Sequence, residues 1–152
     1  MWLGIDVGTS SVKLSLVDET GAEAGAASAP LSVQTPHPYW SEQDPEAWWR
    51  AVVTAAGDLD LSAVQGVGLS GQMHGAVLLD TADQVIRPAI LWNDGRCFAE
   101  AEELAAQPWI GEMAGAPPLP GFTAPKLMWV ARHESSAFAR IRRILLPKDY
   151  VG

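Results

Sequence analysis

The first 29 residues alternate between short apolar stretches and turns of small or polar residues, and this pattern constrains the fold most strongly. Apolar side chains recur at every second position in residues 2–7 and again in residues 12–18. That is the period of a strand with one buried face. Small and polar residues at 8–11 and 19–21 separate these stretches from each other and from a weaker one at 22–29. The sequence therefore predicts three antiparallel strands joined by tight turns.

Beyond this meander the pattern changes to helices that alternate with strands. Asp44 and Pro45 are typical of a helix N-cap and first helical position, and this helix is expected to reach about Ala56. Buried strands are expected at 64–70 and 75–79, a turn at 81–84, a short strand at 89–92, helices at 97–106, 125–132 and 136–140, a strand at 141–146 and a helical turn at 147–150. The prolines of residues 114–125 predict a loop. The order predicts an α/β domain with a mixed sheet.

Composition and charge exclude several classes of protein. The chain has 152 residues, of which 48% are hydrophobic, so it is not a disordered tail and can form one core. No apolar run approaches the roughly 20 residues of a membrane span, and the first residues lack the features of a secretory signal. The net charge of −8 argues against nucleic acid or an anionic membrane as a partner. The single cysteine, Cys97, cannot form an internal disulfide, which fits a cytoplasmic protein.

A candidate phosphate-binding turn follows the first predicted strand. Asp6 lies at the end of that strand, and the Gly-Thr-Ser-Ser turn of residues 8–11 comes next. Backbone N–H groups and hydroxyls in such a turn can surround phosphate oxygens. Mg²⁺ usually binds through one or two carboxylates plus phosphate, so Asp6 is a candidate to hold Mg²⁺. Lys13 could add a positive charge near the same phosphates. An ordinary hairpin turn is the alternative, and the glycine and lysine spacing of a P-loop is missing.

Two further segments carry side chains suited to a sugar. Residues 70–75 read Ser-Gly-Gln-Met-His-Gly, and their Gln72 and His74 can both hydrogen-bond hydroxyl groups. A structural histidine is the commoner alternative, and no Cys or carboxylate stands at a zinc-ligand spacing beside it. Trp92 ends a short strand before Asn93 and Asp94, so an aromatic ring can pack on sugar carbons while polar groups take hydroxyls. Alternatively, Asn93 or Asp94 caps the following helix.

Other conspicuous side chains are expected to have structural roles. The tryptophans at positions 40, 48 and 49 are interpreted as packing residues of the core and loops. Cys97 follows Arg96, but no nearby His or Asp arrangement supports a nucleophile.

Segments spread along essentially the whole chain resemble the FGGY family of sugar kinases. In order they are residues 4–10, 36–38, 40–45, 71–75, 92–96, 120–126 and 145–150. The resemblance is strongest to the members that phosphorylate D-xylulose, because glycerol kinases carry Arg-Glu where Met73 and His74 stand here. It implies a ribonuclease-H-like fold of the actin-like ATPase type, with the active site in a cleft between two domains.

The resemblance also implies a role for each matching residue. Asp6 corresponds to the carboxylate that meets Mg²⁺ and phosphate. His74 and Met73 correspond to the sugar-binding pair, and Trp92 to the ring that packs on substrate carbons. The residues implied to meet the ATP phosphates are Thr9, Ser10, Ser11 and Lys13, and the adjacent sugar-side candidates are Asn93 and Asp94.

The family's general-base aspartate and its C-terminal ATP-binding domain match nothing in this chain. Residues 1–152 are therefore expected to be an incomplete N-terminal kinase domain that is inactive by itself. The expected partners are a sugar, D-xylulose, together with ATP and Mg²⁺, and a homodimer is left open. Two alternatives are a kinase for another ketose or a polyol, and a non-catalytic sugar-binding or interaction protein derived from a kinase.

Overall fold

The structure is a computed structural model that describes residues 1–152. In chain order its elements are β1 (Trp2–Val7), β2 (Ser11–Val17), β3 (Glu23–Pro30), β4 (Glu42–Gln43), α1 (Pro45–Ala56), β5 (Gly66–Gly71), β6 (Val77–Leu79), β7 (Ala89–Ile90), α2 (Phe98–Ala105), α3 (Pro108–Ala114), α4 (Thr123–His133), α5 (Ser135–Phe138), β8 (Arg143–Leu145) and α6 (Pro147–Val151). None of the helices has the length and apolar character needed to cross a membrane.

The chain divides into two compact units. Unit 1 comprises Met1–Val33, Asp44–Met73 and Pro147–Gly152, and unit 2 comprises Gln34–Gln43 and His74–Leu146. Each unit has its own sheet structure and its own buried side chains.

Unit 1 is built on a four-stranded mixed sheet with the order β3-β2-β1-β5. β1 pairs antiparallel with β2, β2 pairs antiparallel with β3, and β5 runs parallel to β1. The period-two pattern explains the buried face, which consists of Leu3, Ile5, Val7, Val12, Leu14 and Leu16. α1 packs against β2 and β3 and buries Trp48, Ala51, Val52 and Ala55. The predicted meander and mixed sheet are confirmed.

The ends of α1 agree with the sequence pattern. Asp44 is the N-cap, its carboxylate accepts a hydrogen bond from the N–H of Glu46 at 3.1 Å, and Pro45 opens the helix. The predicted end at Ala56 is confirmed.

The expectation of a buried strand at residues 64–70 is wrong in one respect. β5 forms, but it lies at the edge of the sheet, and Val67 and Leu69 are exposed. The physical reason is that α1 covers β2 and β3, so the same sheet face at β5 lacks that cover.

Unit 2 contains two small antiparallel sheets, one of β4 with β7 and one of β6 with β8. An isolated bridge joins Ala76 to Ile90. The core beneath them consists of Ala76, Leu78, Ile90, Cys97, Trp129 and Val130. α4 supplies Trp129 and Val130 and packs against α2.

Two local expectations in unit 2 need correction. The predicted loop at 114–125 is shorter than expected, because α3 ends at Ala114 and α4 already begins at Thr123. Pro125 lies within the first turn of α4, where a proline is tolerated. The alternative in which Asn93 or Asp94 caps α2 is wrong, since Cys97 is the N-cap and no side chain caps this helix.

Two glycines of β5 provide a matched test of the sheet. A Cβ at Gly71 would lie 3.0 Å from the carbonyl oxygen of Val7, whereas a Cβ at Gly68 would have no atom within 4 Å. We expect Gly71→Ala to lower the free energy of unfolding by about 1–3 kcal/mol, because backbone atoms must shift. Gly68→Ala should change it by less than about 1 kcal/mol. Urea denaturation measures both, and equal values for the two variants would contradict the packing.

Candidate active site

The turn between β1 and β2 is closed by its own backbone. The N–H of Gly8 donates to the carbonyl oxygen of Ser11 at 3.0 Å. A Cβ at Gly8 would lie 2.8 Å from that same oxygen, so a larger residue does not fit without a backbone shift. The carbonyl of Ser10 accepts a hydrogen bond from the N–H of Leu31 at 2.8 Å, which ties the turn to the chain after β3. The turn is therefore fixed at both its entry and its exit.

Gln72 holds this turn from the end of β5. Its Nε2 donates to the carbonyl oxygen of Gly8 at 3.3 Å, and its Oε1 accepts from Thr9 Oγ1 at 3.2 Å. Its backbone N–H donates to the carbonyl of Val7 at 2.8 Å. The sequence indicated Gln72 as a candidate for binding sugar hydroxyls. In the structure its side chain is hydrogen-bonded to the turn.

The phosphate-side candidates all lie in unit 1. Asp6 and Lys13 are opposite each other in the β1–β2 register, and both are exposed. Ser10 is exposed, while Thr9 and Ser11 are half-buried. The strand register thus brings an exposed carboxylate, an exposed ammonium group and three hydroxyls to one end of the hairpin.

His74 is the first residue of unit 2 and has an unusual backbone. Its φ is 59°, in the left-handed region that side chains with a Cβ rarely adopt. Its ring stacks on that of Phe122, with centroids 4.3 Å apart and planes 18° from parallel. Burial, and then the charge of Lys126, lower the pKa of His74. The imidazole is therefore neutral at pH 7 and offers one donor and one acceptor nitrogen.

Lys126 lies directly beneath this histidine and is completely buried. Its Nζ donates to the carbonyl oxygen of His74 and, at 2.7 Å, to that of Gly121. Thr123 Oγ1 also donates to the His74 carbonyl, at 3.4 Å. Burial lowers the pKa of Lys126 to about 8. Sequence reasoning did not single out Lys126, although its position three residues before Trp129 places it on the buried face of α4.

The second group of sugar-side candidates follows β7. Trp92 and Asn93 are exposed, whereas Asp94 is buried. The carboxylate of Asp94 accepts hydrogen bonds from the N–H of Ser41 at 2.6 Å and from Nε of Arg96 at 2.9 Å. Asp94 therefore serves inside unit 2, and Trp92 and Asn93 present the accessible side chains. A Cβ at Gly121 would lie 2.1 Å from the carbonyl oxygen of Trp92, so the Gly121 segment and this loop are in close contact.

A buried cation organises the polar interior of unit 2. The Arg96 guanidinium pairs with Asp94 at 2.7 Å and with Glu42 at 2.8 Å. Its central carbon lies 3.7 Å from the ring centroid of Trp40 and 5.0 Å from that of Trp129. The packing role expected for Trp40 is confirmed, and its ring packs against the charged guanidinium of Arg96. Sequence reasoning missed Arg96 and Glu42 as structural residues because they are distant from each other in the chain and pair only in the folded unit.

Cys97 lies in the core of the same unit. Burial, the largest cause, raises the pKa of its thiol to about 12. The thiol therefore stays protonated at neutral pH, in agreement with the expectation that Cys97 is not a nucleophile.

Removal of the buried cation should be costly. Arg96→Met leaves the buried carboxylate of Asp94 without its cation and leaves Glu42 with Arg87 alone, and we expect the free energy of unfolding to fall by about 3–5 kcal/mol. The control is Arg143→Met, which breaks only an exposed ion pair with Asp83 and should cost less than about 1 kcal/mol. Chemical denaturation compares the two. An Arg96→Met variant as stable as its control would show that Arg96 does not organise unit 2.

Known proteins match the chain over its whole length. The N-terminal domain of the FGGY family of carbohydrate kinases matches residues 1–152. The xylulose kinase of Escherichia coli (strain K12) is 52% identical over 99% of this chain, and that of Streptomyces rubiginosus is 35% identical over 98%. The chain spans 32% of the length of each of these relatives.

Solved structures agree with these matches. The xyloylose kinase of Brucella ovis superposes with a TM-score of 0.97 at 55% identity, covering 98% of this chain and 33% of that one. The xylulose kinase of Rhodospirillum rubrum superposes with a TM-score of 0.89 at 32% identity, again covering 98% and 33%. The fold of these neighbours is that of actin-like ATPases, as the resemblance implied. The chain belongs to the FGGY family of carbohydrate kinases.

Proposed function

We propose that this chain is the sugar-binding N-terminal part of an ATP-dependent xylulokinase. The reaction transfers the γ-phosphoryl group of ATP to D-xylulose and yields D-xylulose 5-phosphate and ADP. The observation that carries the proposal is the 52% identity with a xylulose kinase across 99% of the chain. The Met73–His74 pair supports a ketose rather than glycerol as the substrate.

The end of the β1–β2 hairpin is the proposed phosphate side. Asp6 would hold Mg²⁺ there, which binds through one or two carboxylates and substrate phosphates. The residues fit this mode: Asp6 is exposed, and no group of three metal-ligating side chains forms a separate protein cage. When bound, Mg²⁺ would neutralise negative charge on the phosphates. Lys13 and the three hydroxyls of residues 9–11 would bind and orient the same phosphates.

The loops of unit 2 are the proposed sugar side. The neutral imidazole of His74 can accept and donate a hydrogen bond to sugar hydroxyls. Met73 and Trp92 are exposed apolar side chains suited to the sugar carbons, and Asn93 supplies an exposed amide. Asp94 acts indirectly, because its carboxylate orients the loop from within.

Deprotonation of the attacking hydroxyl is assigned to a base outside residues 1–152. No carboxylate of this chain lies in a segment that resembles the family's base. A general base typically contributes ~10²–10⁴-fold to the rate, so residues 1–152 alone are proposed to be inactive.

The proposed location is the cytoplasm. The proposed partners are a small sugar and ATP, and neither nucleic acid nor a membrane is proposed as a partner.

A chimera tests the phosphate side. In it, residues 1–152 replace the matching third of the E. coli xylulose kinase, and we expect ATP-dependent phosphorylation of D-xylulose. Asp6→Asn in the chimera should lower kcat at least about 100-fold, because an electrostatic contact with the transferring phosphoryl group is lost. The KM for xylulose should stay within about twofold, since uniform sugar binding is untouched. Coupled ADP release measures both constants.

The matched control is Asp58→Asn, which changes an exposed aspartate of unit 1 beyond the end of α1. Its kcat should equal that of the parent chimera. Normal turnover by Asp6→Asn would refute its role. Residues 1–152 alone should release no ADP in response to xylulose. If the chimera binds xylulose but shows no turnover, the result would favour a non-catalytic sugar-binding protein.

His74 is tested in the same chimera. His74→Ala should raise the KM for xylulose by about 5–150-fold, equivalent to the roughly 1–3 kcal/mol of a lost buried hydrogen bond, and should leave the KM for ATP unchanged. Because the pKa of His74 is lowered, xylulose affinity should be constant above about pH 6.5. Affinity should fall at lower pH, where protonation removes the acceptor nitrogen. Equal losses for both substrates would mean that the variant disrupts the fold rather than the sugar site.

A further inference from the structure

Lys126 stands out because it is a buried ammonium group whose hydrogen bonds go to backbone carbonyls. It lies on the face of α4 that also carries Trp129 and Val130, and all three residues are buried. Burying an ammonium group is costly unless its donors are satisfied. Here two of its three donors are satisfied by the carbonyl oxygens of His74 and Gly121. A purely apolar side chain would fill the same space without that cost, so the bonds themselves point to a role.

Both of these carbonyls belong to segments that carry sugar-side candidates. His74 holds a left-handed φ of 59°, which persists only where its surroundings impose it. Gly121 packs against the carbonyl of Trp92 so closely that an added Cβ would lie 2.1 Å away. One ammonium group therefore fixes the backbone beneath the imidazole and beneath the segment that contacts the Trp92 loop.

Phe122 completes this arrangement from the ring side. It directly follows Gly121, and its ring stacks on the imidazole at 4.3 Å. Thr123, the next residue, donates to the same His74 carbonyl as Lys126. The segment from Gly121 to Lys126 thus holds His74 at two points, its carbonyl and its ring.

We propose that Lys126 and Phe122 are positioning residues that act through His74 to preorganise the imidazole for sugar binding. Lys126 holds the strained backbone, and Phe122 sets the plane of the ring. A ring held in its binding orientation loses less freedom when the sugar arrives, which improves affinity without any direct contact. The inference rests on the proposed function, because His74 is the proposed sugar ligand.

The test uses Lys126→Met, which keeps the length of the side chain and removes its donors, and Phe122→Leu, which removes the stacked ring. In the chimera, the KM for xylulose should rise about tenfold with Lys126→Met and about threefold with Phe122→Leu. The kcat and the KM for ATP should stay within twofold. The control is Arg132→Met, which removes an exposed cation from the same helix and should leave the KM for xylulose unchanged.

A double-mutant cycle separates positioning from general destabilisation. If Lys126 acts through His74, the variant with both His74→Ala and Lys126→Met should bind xylulose no more weakly than His74→Ala alone. In residues 1–152 alone, NMR titration should show the pKa of His74 rising toward its ordinary value in Lys126→Met, because a nearby positive charge is gone. A structural role without positioning predicts additive losses in the cycle.

The outcomes distinguish this inference from the function on which it rests. If His74→Ala leaves the KM for xylulose unchanged, the proposed sugar role of His74 fails and the inference fails with it. If His74→Ala weakens binding but Lys126→Met and Phe122→Leu do not, or if the losses add, only the inference is overturned. Phe122 is only half-buried, so Phe122→Leu keeps the test decisive even if Lys126→Met does not fold.

Discussion

The buried guanidinium of Arg96 is the interaction on which unit 2 depends. It joins Glu42 of β4 to Asp94, which follows β7, and its central carbon lies 3.7 Å from the ring centroid of Trp40 and 5.0 Å from that of Trp129. These partners come from segments far apart in the chain. A charge removed from water is tolerated only when its partners are in place, so the ion cluster and the packing around it must form together.

Lys126 is a second buried cation of unit 2, and its hydrogen-bond partners are of a different kind. Arg96 is neutralised by carboxylates, whereas Lys126 donates to the carbonyl oxygens of His74 and Gly121. An ion pair holds two side chains, but an ammonium group bonded to carbonyls holds two stretches of backbone. The guanidinium therefore orders the interior of unit 2, and the ammonium group orders the loop that presents the proposed sugar ligand.

Unit 1 orders the proposed phosphate side by backbone hydrogen bonds instead. Its hairpin turn closes between Gly8 and Ser11, and Gln72 bonds both the Gly8 carbonyl and the Thr9 hydroxyl. No buried charge is needed, because the strand register already brings Asp6 and Lys13 opposite each other. A Cβ at Gly8 would lie 2.8 Å from the carbonyl oxygen of Ser11, so a glycine at this position lets the turn close.

Features that depend on residues close together in the chain were predictable from the sequence. Period-two alternation specified the meander, and Asp44 with Pro45 specified where α1 begins, because strand faces and helix caps are local. The motifs also identified the family. Three other features became visible only in the folded chain: Asp94 turns inward, β5 is exposed, and Lys126 lies under His74. Each of these depends on groups that are distant in the sequence, and no local pattern encodes which carbonyl or carboxylate will meet a buried charge.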